Sequence, residues 1–290
     1  MPTAAIIIPH YEDAARLARC LTALAPQLAA HVGEIEVVVV DNGSRPGFAD
    51  GLPALPGLRL LLEPRKGAAE ARNRGITETT AERLFFLDCD CVPAPDWLDT
   101  ALALSDSADL VGGQVVVFDE TPGPRSGAQA FEAVFAFDNR AYVQAKGFSV
   151  TANLLARREV YRRIGGFHAG LSEDKDWCHR ATAAGFRLTY EDGMQVSHPS
   201  RGDWDALARK WRRLTVETFG LRPITSRSRL IWALRAGVVA ASILPHGVRV
   251  LTAATLTGTE KGRGLATLAR LRLTRAGWML RQALTGRAGL

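Results

Sequence analysis

Two aspartates separated by a single residue, Asp88 and Asp90, directly follow the apolar run Leu84–Leu87. Side chains alternate along a strand, so both carboxylates should project to one face. Two such carboxylates repel each other unless a cation lies between them. A divalent metal that also keeps phosphate oxygens in its shell would meet that need. The pair predicts a site for a metal-bound diphosphate, and the alternative is a solvated strand end.

The elements that would position this pair alternate between strand and helix. Strands are predicted at 4–8, 35–40, 58–62 and 84–88, and helices at 12–30 and 67–80. This alternation is typical of the α/β class, with a mostly parallel central sheet flanked by helices. Ligands of such sheets bind at the carboxyl ends of the strands. We therefore expect the strand ends at Pro9, His10, Tyr11, Asp41 and Asp88 to line one crevice.

The second half of the chain shows a less regular pattern. It predicts a strand over 109–118, bent at the glycine pair 112–113, and a strand at 187–190. Helices are expected over 126–145, 157–163, 172–184 and 203–219. Ser172 is the expected N-cap of the helix that carries Glu173 and Asp174.

The composition is that of a globular protein, with 290 residues of which 47% are hydrophobic and 23% charged. The four cysteines form no CxxC pair, so neither a zinc site nor a disulfide framework is indicated. Cys89 and Cys91 are expected to face the core as small apolar groups. A reducing, cytoplasmic location is expected, because the N-terminus also lacks the pattern of a signal peptide.

The net charge of +6 is unevenly distributed. Residues 201–290 contain 17 basic and 4 acidic residues and carry +13, whereas residues 1–200 carry −7. A basic segment of this kind suggests nucleic acid or an anionic membrane surface as a partner. The apolar stretch 236–248 is expected to be too short to span a bilayer. We predict one domain over residues 1–220 and a basic amphipathic helical extension over 221–290.

Several short motifs occur in one order along the chain. They are Ile-Ile-Ile-Pro-His-Tyr-Glu at 6–12, Val-Val-Asp-Asn-Gly-Ser at 39–44, Lys-Gly-Ala-Ala-Glu-Ala-Arg-Asn-Arg-Gly at 66–75, Leu-Asp-Cys-Asp at 87–90, Ala-Asn-Leu-Leu-Ala-Arg-Arg at 152–158, Gly-Gly-Phe at 165–167, Ser-Glu-Asp-Lys-Asp-Trp at 172–177, and His198. This series resembles the inverting family-2 glycosyltransferases of GT-A fold, over roughly residues 3–200. Each motif is weak alone, and their shared order carries the resemblance.

The resemblance implies a nucleotide site at the first strand ends. Tyr11 would stack on the nucleobase, with Pro9 shaping the loop. Asp41 matches an acid that contacts the base, and as an acceptor it suits an N–H donor such as that of uracil. Arg72 matches the arginine of the family's Ala-Arg-Asn motif near the nucleotide, and Lys66 is a candidate phosphate contact. The donor implied is a nucleoside-diphosphate sugar, with UDP as the expected nucleotide.

The resemblance also implies a metal site and a catalytic base. Asp88 would reach ribose and metal, while Asp90 and His198 would bind the metal directly. The cofactor expected is Mn²⁺ or Mg²⁺; imidazole suits the former, and the latter prefers oxygen. Asp174 would take the proton of the acceptor hydroxyl, and a position near a helix start is expected to keep it ionised.

Two rival acids, Glu173 and Asp176, share the same helical turn as Asp174. The further residues expected to contact the donor or acceptor sugar are Asn153, Gly166, Phe167, Glu173 and Trp177. For Phe167 and Trp177, core packing is an equally good interpretation.

The resulting hypothesis is a metal-dependent, inverting and non-processive enzyme that transfers one sugar to a hydroxyl of a sugar, lipid-linked or peptide acceptor. The C-terminal helices would lie on the inner face of an anionic membrane or form a homodimer contact. Nucleic acid is not an expected partner, because aromatic residues for base stacking are few in the basic segment. The alternatives are a sugar nucleotidyltransferase and a non-catalytic sugar- or nucleic-acid-binding module.

Overall fold

A computed structural model of the chain describes residues 2–169 and 172–289. Within them, the strands are β1 Ala4–His10, β2 Ile35–Asp41, β3 Leu58–Leu62, β4 Arg83–Leu87, β5 Val92–Pro93, β6 Leu110–Phe118, β7 Asn153–Arg157 and β8 Leu188–Pro199. The helices are α1 Ala14–Ala29, α2 Ala68–Glu78, α3 Trp97–Leu104, α4 Gly127–Phe135, α5 Asn139–Lys146, α6 Arg158–Ile164, α7 Glu173–Ala183, α8 Trp204–Gly220, α9 Ser226–Ala241, α10 Ile243–Thr252 and α11 Gly258–Thr285.

The described strands form one sheet in the order β3-β2-β1-β4-β7-β6-β8-β5. The pairs β1–β2, β1–β4 and β2–β3 are parallel, and β7 runs antiparallel to both β4 and β6. Strands β1 to β4 and β6 therefore share one direction. The predicted α/β class with a mostly parallel sheet and flanking helices is confirmed.

Strand β1 shows why this sheet forms in the interior. Each of its residues, Ala-Ala-Ile-Ile-Ile-Pro-His, is buried. A near-continuous apolar run of this kind is typical of a parallel strand covered on both faces. Gly75 of α2 lies so close to Ile7 that an added Cβ would come within 2.5 Å of the isoleucine methyl. The helix can therefore pack directly on the strand.

Three predicted elements differ from the structure. The predicted strand 84–88 ends at Leu87, and Asp88 to Asp90 enter a turn in which the Cys91 N–H donates to the Asp88 carbonyl at 3.0 Å. The predicted helix 126–145 is two helices, because the Asp138 carboxylate caps the second of them by accepting from the Ala141 N–H. The predicted strand 187–190 is the start of the longer β8.

Contacts divide the chain into two compact units. The first comprises the residues up to Val116 together with Asp138–His198, and the second comprises Val117–Phe137 and the chain from Pro199 onward. This division differs from the boundary predicted at residue 220, because α8 and the segment around α4 pack with the C-terminal helices. In the second unit Phe131, Leu207 and Leu268 share one apolar cluster.

One helical segment of the second unit is both long and apolar. Ser226–Thr252 spans 27 residues, and its most apolar 18-residue window has a mean hydropathy of 1.4, with only 17% of that window buried. By length and composition it could cross a membrane, although a single such helix is weak evidence that it does. The apolar stretch 236–248, which was predicted to be too short to span a bilayer, lies within this longer segment, and that prediction stays a prediction.

Candidate active site

The ends of β1 and β2 are joined by a buried histidine–aspartate pair. His10 Nδ1 lies 3.0 Å from Asp41 Oδ1, and the Asp13 N–H donates to His10 Nε2 at 3.1 Å. Because Nε2 accepts, Nδ1 carries the proton and donates to the carboxylate. The ring of His10 also stacks on Phe48 at 4.8 Å between centroids. This pair fixes the two strand ends that the sequence predicted to meet.

Asp41 is bound by its own loop. Its Oδ2 accepts from the backbone N–H groups of Gly43 and Ser44 at 3.1 and 2.9 Å, and its Oδ1 accepts from the Ser44 hydroxyl at 2.5 Å. Burial alone would raise the pKa of Asp41, but these bonds and the one from His10 outweigh it and hold the pKa below its ordinary value. A carboxylate has about four acceptor sites, and all are used here. The structure therefore assigns Asp41 a loop-organising role, and the predicted base contact would require one of these donors to be replaced.

Tyr11 and Glu12 lie between the same strand ends. Tyr11 is 56% exposed, and Lys66 Nζ lies 4.5 Å from the centre of its ring. Glu12 adopts a positive φ of 54° and accepts from both the backbone N–H and the Nε of Arg45. Lys66 Nζ also donates to the carbonyl of Asn42 at 2.8 Å. The accessible ring of Tyr11 suits a nucleobase, and Lys66 beside it suits a phosphate. Pro9, by contrast, is buried within β1.

Arg72 of α2 links the end of β4 to the start of α7. Its Nη2 lies 2.6 Å from Asp88 Oδ1, and its Nη1 lies 2.9 Å from Glu173 Oε1. Burial alone would lower the pKa of Arg72, but the two carboxylates outweigh it and raise the pKa above its ordinary value. Arg72 is buried, and its Nε has no partner among the described residues. The arginine holds both acids in fixed positions.

Asp90 and His198 approach each other across the turn after β4 and the end of β8. Asp90 Oδ2 lies 3.3 Å from His198 Nε2. Burial raises the pKa of Asp90, an effect that His198 opposes and Asp88 reinforces. A buried carboxylate facing a second acid gains from a nearby cation. Asp90 and His198 thus fit a divalent ion that takes its remaining ligands from phosphate or water.

The predicted set of three metal ligands is not assembled as such. In residues 2–169 and 172–289, no group of three or more His, Cys, Asp or Glu side chains is close enough to hold an ion. Asp88 accepts a hydrogen bond from Arg72. It also lies just after the end of β4, so the alternation of side chains along a strand does not apply to it. The structure brings two of the three predicted ligands together, and metal ligation by all three remains a prediction.

The three acids at the start of α7 differ in what they bind. Glu173 pairs with Arg72 at 2.9 Å, and Asp176 pairs with Arg180 at 2.8 Å. Asp174 forms no ion pair in the described part of the chain; its Oδ1 accepts from the Lys175 N–H at 2.7 Å. Of the three, Asp174 has the carboxylate that is left to accept a proton.

The environment of Asp174 raises its pKa. Burial, reinforced by the charge of Glu173, raises the pKa of Asp174 to about 6, despite the backbone hydrogen bond from Lys175. Desolvation thus outweighs the effect of the helix start on the pKa, and a carboxyl with this pKa is still mostly ionised at neutral pH, as expected of a base. Ser172 does occupy the N-cap position, without a side-chain capping bond. A pKa near the working pH suits a general base.

Several predicted sugar contacts are interior residues. Asn153 is fully buried; its amide accepts from Trp97 Nε1 at 2.9 Å and donates to the carbonyls of Gln114 and Met194. Every hydrogen-bonding group of this side chain is thus used within the protein. The structure gives Asn153 a structural role, which corrects the predicted sugar contact.

Phe167 and Trp177 are likewise core residues. Their rings stack at 4.7 Å between centroids, and they are 3% and 0% exposed. Asn73 holds both the N–H and the carbonyl of Phe167 at 2.8 Å, and Gly166 lets this asparagine approach, since a Cβ there would lie 2.4 Å from Asn73 Oδ1. Core packing, the second interpretation weighed for the two aromatic residues, is the one observed. Both aromatic residues are therefore part of the buried core.

Of two further residues of the site, the sequence placed His10 at the crevice without a role and did not single out Ser44. His10 and Ser44 both bond to Asp41, and the second also accepts from the Glu12 N–H at 2.8 Å. Both lie within motifs that were recognised, directly beside Pro9 and after Gly43. Their position at two strand ends was the available signal, but a histidine or serine there gives no indication of its partner.

The geometry can now be set beside known proteins. A family model described as glycosyl transferase family 2 matches residues 5–169. The chain is 31% identical over 221 residues to the glycosyltransferase AglE of Haloferax volcanii, covering 73% of this chain and 72% of that protein. It is also 31% identical over 221 residues to the pre-mycofactocin glycosyltransferase of Mycobacterium tuberculosis, covering 71% of this chain and 44% of that protein.

Among solved structures, the fold is similar to that of the mannosyltransferase PcManGT from Pyrobaculum calidifontis in complex with GDP-Man and Mn²⁺. The TM-score is 0.55 at 19% identity, covering 98% of this chain and 73% of that one. This likeness confirms the GT-A fold. The family match confirms the resemblance found in the motifs and favours sugar transfer over the two alternative functions. The chain is an enzyme of glycosyl transfer and belongs to glycosyl transferase family 2.

Proposed function

We propose that the enzyme is an inverting glycosyltransferase that moves one sugar from a nucleoside-diphosphate sugar to a hydroxyl acceptor, with Asp174 as the base. The observation that carries the proposal is the difference between neighbouring acids. Glu173 and Asp176 are each paired with an arginine, whereas Asp174 accepts only a backbone N–H. An acid that has to take up a proton must not be tied to a permanent cation.

The reaction proposed is a single displacement. The acceptor oxygen attacks the anomeric carbon, the bond from that carbon to the diphosphate oxygen breaks, and the acceptor proton passes to a carboxylate oxygen of Asp174. The nucleoside diphosphate leaves with the electron pair. Lys175 holds the other oxygen of Asp174 through its backbone N–H, which orients the carboxylate.

The nucleotide end of the donor is assigned to the strand ends of β1, β2 and β4. Tyr11 offers its exposed face to the base, and Lys66, beside that ring, suits the phosphates. Asp88 is kept in place by Arg72 for contact with ribose. Asp90 and His198 would hold a divalent ion, Mn²⁺ or Mg²⁺, which when bound would neutralise charge on the diphosphate.

The base of the donor is proposed as uridine, with guanosine as the competing choice. Uridine follows from the resemblance of the motifs, although the support from Asp41 is reduced by its internal bonds. Guanosine is favoured by the GDP-Man in the structure of PcManGT. Thermal shifts with UDP and GDP, each with and without Mn²⁺, separate the two. A larger rise with GDP would overturn the uridine assignment.

The base assignment is tested by replacing Asp174 and, as a matched control, Asp176. Both substitutions to Asn remove one negative charge from the same turn of α7, and Asp176 is bonded to Arg180 rather than to substrate in this proposal. Asp174→Asn is expected to lower kcat by about 10²–10⁴-fold while the nucleotide-induced thermal shift survives. Asp176→Asn should retain most activity. Equal turnover in the two variants would refute the assignment.

A further inference from the structure

Basic side chains of the second unit gather around an aromatic ring. The guanidinium carbons of Arg272 and Arg275 in α11 lie 5.5 and 4.8 Å from the ring centre of Trp211 in α8. Arg272 Nη2 lies 3.1 Å from His246 Nδ1 in α10. Since an arginine can only donate, this imidazole nitrogen accepts and the histidine is neutral.

Arg249 of α10 adds a third cation. Its guanidinium carbon lies 5.1 Å from the ring centre of Phe135, whose ring in turn lies 5.4 Å from that of His246. Burial lowers the pKa of His246, and the charges of Arg272 and Arg249 lower it further. We call Arg249, Arg272, Arg275 and His246 the arginine cluster.

The arginine cluster has no acidic partner in the described part of the chain. Most carboxylates of the second unit bind elsewhere: Asp119 pairs with Arg125, Glu132 with Arg201 and Lys210, and Glu217 with Arg213. Asp203 caps α8 through the Ala206 N–H, and Glu260 caps α11 through the Thr257 N–H. Among the described residues, no carboxylate forms an ion pair with an arginine of the cluster.

Desolvation makes such an arrangement costly. Arg272 is only 8% exposed. Its Nε, the Nε of Arg275 and the Nε1 of Trp211 are buried without a hydrogen-bond partner among the described residues. Burial, with Arg272 and Arg235 nearby, lowers the pKa of Arg275 to about 10. Buried guanidinium groups are normally paired, and their planar donor fork matches phosphate oxygens.

Helix α10, which carries His246 and Arg249 of the arginine cluster, and the preceding helix α9 also expose an apolar stripe. Within each helix its members lie three or four residues apart, and all are more than half exposed: Leu230, Leu234, Val238, Leu244, Val248 and Leu251. The opposite side of α9 packs into the interior, where Trp232 and Ala236 meet Ala276 and Met279 of α11. Apolar residues on one face with arginines beside them are typical of a helix that lies in a membrane interface.

We propose that the arginine cluster is a binding site for the phosphate of an anionic lipid, with the apolar stripe of α9 and α10 in contact with the acyl chains. The phosphate oxygens would accept from the guanidinium groups of Arg249, Arg272 and Arg275. A surface position is favoured over a spanning helix, because one face of α9 is already packed on α11. Lipid chemistry is favoured over free phosphate, because α10 carries both Arg249 and the stripe residues Leu244, Val248 and Leu251.

A soluble short-chain lipid tests the site without the diffuse charge of a vesicle. Dihexanoyl phosphatidic acid should raise the Tm of the full chain by about 5 °C at about a hundredfold its Kd. In the double variant R249Q/R275Q the apparent affinity should fall by about tenfold or more. The matched control R281Q/R287Q removes the same charge from exposed positions outside the arginine cluster and should behave like the wild type.

Each remaining outcome has a defined meaning. An equal rise in Tm with inorganic phosphate or glycerol 3-phosphate would show a free-phosphate site and overturn the lipid assignment. The absence of any shift, or an equal loss in both double variants, would overturn the site itself. If R249Q/R275Q fails to melt cooperatively, the exposed single variant R249Q takes its place and should still bind more weakly than R281Q. The experiment is independent of sugar transfer, so failure of one proposal leaves the other standing.

Discussion

The behaviour of Asp174 depends on the partners of its neighbours. Glu173 and Asp176 each pair with an arginine, whereas Asp174 forms no ion pair among the described residues. The sequence places all three in one acidic turn and cannot distinguish them, since the distinction comes from Arg72 and Arg180. Burial together with the charge of Glu173 converts an ordinary aspartate into a group that titrates near neutral pH.

The first prediction at this scale concerns the pH dependence of transfer. Because the pKa of Asp174 is raised to about 6, the base is protonated below that value and kcat/KM should fall about tenfold per pH unit on the acid side. Above it the carboxylate is ionised and the rate should level off. Initial rates across this range measure the profile. If kcat/KM instead begins to fall only near pH 4, the ordinary pKa range of an aspartate, the raised pKa would be contradicted.

A second prediction concerns stability. The folded pKa of about 6 lies above the unfolded value, so the native state binds the proton more tightly and loses stability as pH rises between the two values. Asp174→Asn removes this loss. At neutral pH the free energy of unfolding of the variant should therefore exceed that of the wild type by up to about 2–3 kcal/mol, and near pH 4 the two should match. Chemical denaturation at both pH values measures the difference. An inactive variant that is also less stable at neutral pH would indicate structural damage instead.

At the scale of elements, the strands were predictable and the positions just beyond them were not. The apolar, β-branched runs at 4–8 and 35–40 identify β1 and β2, because burial on both faces demands such residues. The turn at Asp88 depends on the backbone bond from Cys91, and the break before α5 depends on the Asp138 cap. Such local hydrogen bonds compete with the extension of a strand or helix and leave little trace in hydrophobic periodicity.

The burial of predicted sugar contacts has a similar origin. Asn153 is at the start of β7, and its amide joins the backbones of β6 and β8 through Gln114 and Met194. A glycine at 113 makes room for it, since an added Cβ would lie 2.3 Å from its Nδ2. Asn153 was interpreted as a ligand contact because it is a polar residue in a recognised motif, but its hydrogen bonds connect β7 to β6 and β8. Only the sheet order reveals that role.

The tie between α2 and α7 leads to a prediction at the scale of elements. Arg72→Met should destabilise the fold by about 3–5 kcal/mol, because Asp88 and Glu173 lose the cation that pairs both. It should also weaken nucleotide binding, since Asp88 is no longer held. The matched control is Arg74→Gln on the same helix. This substitution removes only the ion pair between Arg74 and Glu78 and should lower the free energy of unfolding by about 0.5 kcal/mol. Chemical denaturation measures both, and equal losses would contradict the central role of Arg72.

At the scale of the whole molecule, charge is divided between the two units. The second unit contains 18 basic and 7 acidic residues, a net charge of +11, and the first contains 18 and 23, a net charge of −5. The asymmetry predicted from a division at residue 200 is thus preserved in the structural units. The basic second unit also carries the exposed apolar stripe, so the proposed membrane contact is assigned to that unit.

The last prediction follows from this division and separates a helix that docks on a membrane from one that crosses it. The wild-type chain should float with vesicles of equimolar phosphatidylcholine and phosphatidic acid at low salt and much less with phosphatidylcholine alone. Raising the salt to about 1 M shortens the Debye length to about 3 Å and should release the protein, because the +11 charge supplies most of the attraction. Flotation followed by quantification of both fractions measures the effect. Retention at high salt would instead indicate insertion of Ser226–Thr252, whose length and hydropathy permit a span.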